Sequence, residues 1–343
     1  MIKIINDLHA GVRRQGGTTP ASRNALNKYI SQNIKKLLTW ATDTDALIVL
    51  GDVFDKPKVA EVVLLDLFFM FLTFLRGSKA DLILVRGNHD SKSEIIDDMC
   101  SLELLYNLLV TSLADSGDDP TRVHLVFNGP ETFEDEEISF HIIPHMFNQE
   151  AFDREIENAP ACAYLLLHCN FDCKYAVGDH SLNLSREQAK KLVHGGREIL
   201  IAHEHQARTP MVGVRVMGNQ FPTSVADCKG NDEKIATIIT EEGVGHMLSW
   251  KAEGSFKDCT PTTIQEGEFI RVSGNCKRHE FGQIVRDIAE YRKTSNAFVV
   301  SNAVKVETET MELSKEDVTK INVLELLLQA IPSQFQEKVR GCI

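Results

Sequence analysis

Leu82-Ile83-Leu84-Val85-Arg86-Gly87-Asn88-His89-Asp90 decides how this chain is read. Branched apolar residues run through Arg86 into Gly87, then into three side chains able to hold a metal or move a proton. Such a run is a buried strand that delivers chemistry at its C-terminal end, the side where open α/β sheets bind ligands. Working outward, the same pattern occurs five times in the first two thirds of the sequence. Ile2-Lys3-Ile4-Ile5 leads to Asn6-Asp7-Leu8-His9, and Leu47-Ile48-Val49-Leu50 leads to Gly51-Asp52-Val53-Phe54-Asp55. Tyr164-Leu165-Leu166-Leu167 ends at His168, and Ile199-Leu200-Ile201-Ala202 ends at His203-Glu204-His205. One apolar run ending in a polar residue carries no information. Five that end in Asp, His or Asn imply a shared site.

Between these runs the pattern alternates helix and strand. A polar loop spans Gly11 to Ser22, carrying Arg13, Arg14 and a Gly-Gly-Thr-Thr-Pro turn. A helix follows to about residue 39, with Leu26, Ile30, Ile34, Leu37 and Leu38 on one face. Residues 59–75 read as a buried apolar helix, and 95–109, 149–158 and 185–194 as further helices. Strands are predicted at 123–127 and 138–143 around an acidic hairpin, then at 212–217, 234–240 and 246–250. Composition shifts over 253–267 towards Gly, Ser, Asp, Pro and Thr, which marks a domain boundary. Beyond it, strand 269–272, helix 279–292 and strand 297–306 form a small α/β unit. Residues 314–340 carry a wide apolar face of Val323, Leu324, Leu327, Leu328 and Ile331, which either packs back or binds a partner.

At 343 residues the chain suits one large domain with a smaller one. A 43% hydrophobic and 25% charged composition is ordinary for a soluble globular protein. No apolar run reaches the roughly 18 residues that span a bilayer, and no signal-peptide pattern opens the sequence. The eight cysteines have no framework spacing, so reduced thiols in a cytoplasm are expected. Cys169 and Cys173 could form half a zinc site, but no second pair follows. A net charge of −12 argues against broad autonomous binding of nucleic acid. It leaves room for a nuclease whose metals and partner supply the positive field.

Asp7, His9, Asp52, Asn88, His168, His203 and His205 all fall at strand ends. Two divalent cations need about eight N and O ligands, with one carboxylate shared between them. Asp-x-His and His-x-His place both side chains on one side of an extended segment. Gly51 lets the backbone turn tightly and aim Asp52 inward as the bridge. A set with no cysteine suits Mn²⁺, Mg²⁺ or Fe²⁺, and Zn²⁺ is compatible. Alone, each motif is ordinary surface, capping or turn chemistry; in this order, at strand ends, they point to one dimetal site.

Asp7-x-His9, Gly51-Asp52-x-x-Asp55, Gly87-Asn88-His89-Asp90, His168 and His203-x-His205 resemble the five motifs of the calcineurin-like metallophosphoesterase superfamily. Within it the chain looks like the SbcD nuclease subunit and its compact bacteriophage recombination-nuclease relatives. Lys56-Pro57 stands where phosphoprotein phosphatases place an Arg after the second Asp, and Gly218-Asn219-Gln220-Phe221-Pro222-Thr223-Ser224 resembles a turn of SbcD-type proteins. Departures are Ala202, where Gly is usual, and Asn219, where Ser is common; neither is a ligand. The resemblance implies an α/β fold: a β-sandwich flanked by helices (1–252), a small α/β capping domain that binds DNA (266–308) and a C-terminal helical segment that binds an ATPase (314–343).

The resemblance places Asp7, His9 and His205 on one metal and Asn88, His168 and His203 on the other, with Asp52 between them. His89 becomes the catalytic histidine and Asp55 the residue that orients it. Two Mn²⁺ ions, or Mg²⁺, are implied, with DNA as substrate, an SbcC-like coiled-coil ATPase as partner, self-dimerisation, and a cytoplasmic setting. Arg13, Arg14, Lys277 and Arg278 are the basic residues expected to meet DNA. The rival expectation is a phosphatase of phosphoprotein or nucleotide substrates on the same metal core.

Overall fold

The computed structural model describes residues 1–91, 99–134, 138–174, 181–229, 233–252 and 254–307. The apolar segment around Val323, Leu324, Leu327, Leu328 and Ile331 lies outside them.

In chain order the elements begin with β1 (Ile2–Ile5), α1 (Ala25–Trp40), β2 (Ala46–Leu50), α2 (Glu61–Gly77), β3 (Asp81–Val85), α3 (Ser101–Ser116) and β4 (Val123–Val126). Next come β5 (Glu131–Glu134), β6 (Ser139–Ile143), α4 (Gln149–Asn158), β7 (Tyr164–His168), β8 (Asn170–Phe171), β9 (Asn183–Leu184), α5 (Arg186–Val193) and β10 (Glu198–Ala202). The remainder is β11 (Arg208–Met211), β12 (Val214–Val216), α6 (Val225–Cys228), β13 (Glu233–Thr240), β14 (Gly243–Lys251), β15 (Phe256–Cys259), β16 (Phe269–Cys276), α7 (Arg278–Thr294) and β17 (Val299–Val306).

Two six-stranded sheets face each other, ordered β14-β13-β1-β2-β3-β4 and β11-β12-β10-β7-β6-β5. The strands from β1 to β4 run parallel, as do β6, β7, β10 and β12. Side-chain alternation explains why these strands are apolar throughout. Ile4, Ile48, Leu50, Ile83 and Val85 point between the sheets, against Phe140, Ile142, Leu166 and Leu200. Ile5, Leu47, Val49, Leu82 and Leu84 point the other way, onto α1, α2 and α3. Across the second sheet, Leu165, Leu167, Ile199 and Ile201 meet Phe152 and Ile156 of α4 and Ala189 of α5. A strand covered on both faces has no polar side, so continuous apolar runs are required.

Three local expectations are corrected. Strand 123–126 does not pair with 139–143: it lies parallel to β3 in the first sheet. The antiparallel partner of β6 is β5, an edge strand whose only large apolar residue, Phe133, stacks on Phe140 at 5.1 Å. Glu-Thr-Phe-Glu is too polar to register as an apolar run, because one face of an edge strand stays in water. The helix expected from 95 starts at Ser101 among the described residues. Finally, α2 is not buried all round, since Val62 and Phe69 are 72% and 60% exposed. No described helix is long and apolar enough to cross a membrane.

A third, three-stranded sheet, β15-β16-β17, carries α7 in the segment expected to be the cap. The stretch whose composition marks a boundary supplies its first strand. The cap shares the main core: Phe269 and Val299 are buried in the cluster that holds α1 to α3. Tyr29 of α1 contacts the rings of Phe269 and Phe298 at 5.7 and 5.0 Å. The polar loop after His9 straps the two parts together. Val300 N donates to Gln15 O at 2.7 Å, Gly17 N to Ala297 O at 2.9 Å, and Thr18 N to Arg292 O at 2.7 Å.

Phe269 is fully buried at the junction of body and cap. Truncating a buried aromatic costs about 3–5 kcal/mol. Phe269→Ala should therefore speed amide exchange across β16 and β17 while leaving β1 to β3 protected, as hydrogen-exchange mass spectrometry would show.

Candidate active site

All five polar strand ends converge at one edge of the two sheets. In the first cluster, Asp7, His9 and His205 bring one ligand atom each within 4.8 Å of one another; Asp52, His168 and His203 do the same in the second. His9 Nε2 and His205 Nε2 lie 3.1 Å apart. Asn88 joins the second cluster, its Oδ1 3.1 Å from His168 Nε2 and 2.9 Å from His203 Nδ1. One oxygen of Asp52 faces both groups, with Oδ2 3.4 Å from His168 Nε2 and 3.8 Å from His9 Nε2. The structure thus brings all seven of these residues to one place, with Asp7, His9 and His205 on one side and Asp52, Asn88, His168 and His203 on the other.

Local geometry explains the two glycines. A Cβ on Gly51 would sit 2.1 Å from His168 Nδ1, and one on Gly87 2.1 Å from Asp52 Oδ1. Any side chain there would displace a ligand. The remaining oxygen of Asp52 accepts from His89 N at 2.9 Å, which fixes the carboxylate. His168 Nδ1 donates to Leu50 O at 3.0 Å, leaving Nε2 for the site.

The electrostatics suit cations. Asp7 Oδ1 is buried and, among the described residues, no hydrogen-bond donor reaches it; His205 Nε2 stands 4.0 Å away. A buried carboxylate oxygen without a donor is costly unless a cation meets it. Burial lowers His9 and His203 to about 4, so both rings are neutral near pH 7 with lone pairs to give. Burial also opposes charge on His168, but Asp52 outweighs it and raises the ring to about 9. Binding a cation there would release that proton.

His89 is half-buried beside the first cluster, its ring 4.8 Å from that of His9. Asp55, the residue expected to orient it, meets it through the main chain: the Asp55 carbonyl accepts from His89 Nδ1 at 2.9 Å. The Asp55 carboxylate approaches His9 Nδ1, with Oδ1 at 3.6 Å. Ala10 O accepts from Asp55 N at 3.1 Å, which docks this turn on the first motif.

Of the basic residues expected to meet DNA, Arg13 and Arg14 are exposed on the strap loop, and the charge of Arg14 reaches Asp55. Lys277 and Arg278 are exposed where α7 begins.

Two residues, His145 and Asp227, escaped the sequence analysis, and Asp90, quoted there with its motif, holds a place that the motif alone does not show. Asp90 is buried, accepting from Phe54 N at 3.0 Å and Gly87 N at 2.9 Å, so it locks the second and third motifs together. Burial, then the Asp52 charge, raises it to about 7. His145 follows β6, with its ring 6.3 Å from His168. Its signal was present, since the apolar run 138–143 ends in Pro-His, a sixth instance of the pattern. Asp227 lies 2.7 Å from His205 Nδ1 through Oδ1. Only the Ser224-x-x-Asp227 capping pattern hinted at it.

The model of the calcineurin-like phosphoesterase family matches residues 1–207. The chain belongs to that family. It is accordingly a metal-dependent phosphoester hydrolase, with a donor set that fits two divalent cations. A search of curated proteins found no match. Among solved structures, an archaeal phosphodiesterase aligns with a TM-score of 0.35 and 13% identity, over 72% of this chain and 98% of its own. A protein of unknown function from Aquifex aeolicus aligns with a TM-score of 0.26 and 16% identity, over 54% of this chain and 88% of its own.

A cation that binds only the folded state stabilises it by about 2.7 kcal/mol at a hundredfold excess over Kd. Mn²⁺ should therefore raise the melting temperature of the chelator-treated protein. Asp52→Ala should abolish that rise, because both clusters lose their shared oxygen; calorimetry should then show no site of wild-type affinity.

Proposed function

We propose that this phosphoesterase is a DNA nuclease of the SbcD type, cutting phosphodiester bonds at DNA ends with Mn²⁺, or Mg²⁺, in its two clusters. The observation that carries the reading is the strap. The loop that leaves His9 bears exposed Arg13 and Arg14 and ends hydrogen-bonded to the cap. A polymer extends beyond the phosphate being cut and needs surface on either side of the site; a small phosphomonoester does not. Lys56, where phosphoprotein phosphatases carry Arg, supports the same choice.

In this reading Asp7, His9 and His205 hold one cation, Asn88, His168 and His203 the other, and Asp52 both. Bound cations would supply positive charge for the phosphate oxygens and acidify an attacking water. The 3′-oxygen of a phosphodiester is a poor leaving group and departs more readily with a proton. In this reading His89 gives it. Its Nδ1–H is committed to the Asp55 carbonyl, which leaves Nε2 to carry and return the transferable proton.

The wider setting follows from charge. Each neutralised phosphate adds affinity through counterion release, yet the chain has 37 basic against 49 acidic residues. Its own grip on DNA is local, through Arg13, Arg14, Lys277 and Arg278. Broader capture falls to an SbcC-like ATPase docked on the segment 314–343, with self-dimerisation in addition.

With Mn²⁺, the protein should degrade single-stranded oligonucleotides faster than p-nitrophenyl phosphate, mononucleotides or a phosphopeptide. His89→Ala should keep both metal sites and slow DNA cleavage by roughly 10²–10⁴-fold, the scale of general acid–base groups. Rapid turnover of the monoesters with DNA left intact would establish the phosphatase reading instead. Unchanged DNA cleavage by His89→Ala would remove the proton-donor role.

A further inference from the structure

We infer that Asp227 is a positioning residue of the metal centre, fixing the tautomer and direction of His205. The inference rests on the two-cation reading of the site and is independent of whether DNA is the substrate.

Asp227 lies in a four-residue helix, α6, whose Ser224-x-x-Asp227 box explains part of its bonding. A capping box needs one acceptor oxygen on one backbone N–H. Here Oδ2 takes three donors: Thr223 N at 2.8 Å, Ser224 N at 2.8 Å and Thr223 Oγ1 at 3.0 Å. That oxygen is saturated, and the carboxylate cannot rotate. Oδ1 is thereby held 2.7 Å from His205 Nδ1. A carboxylate only accepts, so Nδ1 carries the proton and Nε2 presents its lone pair towards Asp7 and His9.

Lys234, from β13, grips the same ligand from behind, its Nζ donating to His205 O at 2.8 Å. Asp227 and Lys234 are both buried although neither belongs to the ligand set. His205 leaves β10 on a loop, with a side chain 26% exposed against 4% for His9 in the same cluster. Packing alone holds it less firmly than His9. The second cluster differs, since His168 donates to the neutral carbonyl of Leu50.

The discriminating variant is Asp227→Asn. Its amide oxygen can keep all three donors of the cap, while its NH₂ then faces His205 Nδ1. A donor opposite Nδ1 favours the ring with its proton on Nε2, which cannot bind a metal. Titrating Mn²⁺ alone into the chelator-treated protein should show one of the two binding events weakened 10–100-fold, the usual effect of losing a ligand's hydrogen-bond partner. The other event should persist, and the metal-free melting temperature should stay near wild type. Two events of wild-type affinity in Asp227→Asn would overturn the assignment. So would a lowered metal-free melting temperature with both affinities intact, the signature of a capping role alone. Nitrogen NMR of the wild-type, metal-free protein reads the tautomer without any substitution. A His205 proton on Nδ1 is expected, and one on Nε2 would overturn the inference. If the wild type itself binds fewer than two Mn²⁺, the two-cation reading fails, and the NMR result still decides the role of Asp227.

Discussion

Asp7, His9, Asp52 and His203 hold φ values of 52°, 45°, 51° and 87°, so four residues of the metal set sit in the left-handed region. Outside glycine that conformation costs about 1–3 kcal/mol per residue. The surrounding structure has to impose it. Backbone bonds lace the first two motifs together, Asp7 N donating to Gly51 O at 3.1 Å and His9 N to Asp52 O at 2.9 Å. His203 N donates to Asp7 Oδ2 at 3.1 Å, which ties in the second sheet. Each strained turn is thus anchored by another strained turn, and all are rooted in strands buried on both faces. Apolar packing elsewhere in the sandwich offsets the strain, and the result is a set of donor side chains held in place by the backbone around them.

The same closeness concentrates negative charge. Asp7, Asp52 and Asp90 are all nearly inaccessible, and the Asp52 charge helps to hold Asp90 up at about 7. Buried like charges persist only where donors or cations meet them. Asp52 and Asp90 have backbone donors. Asp7 Oδ1 has none among the described residues, so the first cluster depends most on its cation. An acidic interior of this kind contributes to the net charge without opposing a polyanionic substrate once cations are bound. The overall sign of the chain is therefore a poor guide to what the site accepts.

The sandwich and its seven convergent side chains were legible because burial on both faces imposes long apolar runs, and each run ends where the backbone leaves the core. Legibility failed wherever a residue acts through a backbone atom or across a large sequence gap. Glu131–Glu134 pairs at a sheet edge, where one face is free to be polar. Asp227 stands 22 positions from His205, and its pattern is that of any short helix start. His145 was visible by the rule that found the others, but one position of proline hid the strand end. The shared core of cap and body, through Phe269 and Val299, is a tertiary fact with no local period to announce it.

Asp55 shows why residue type alone does not assign a role. Its carbonyl accepts from His89 Nδ1 and its carboxylate faces His9, so one residue meets His89 and the first cluster through different atoms. Replacing its side chain leaves the carbonyl in place, provided the turn stays docked on Ala10. The orientation of His89 therefore belongs to the backbone of the Gly51–Asp55 turn. That turn is held by Asp90 at Phe54, by Asp52 at His89 and by the β1 motif at Asp55. The strap that reaches the cap starts from the same β1 motif, with buried Val12 donating its N–H to His9 O at 3.1 Å. The strap, the first cluster and the turn whose carbonyl meets His89 are consequently all tied to one backbone segment, the β1 motif.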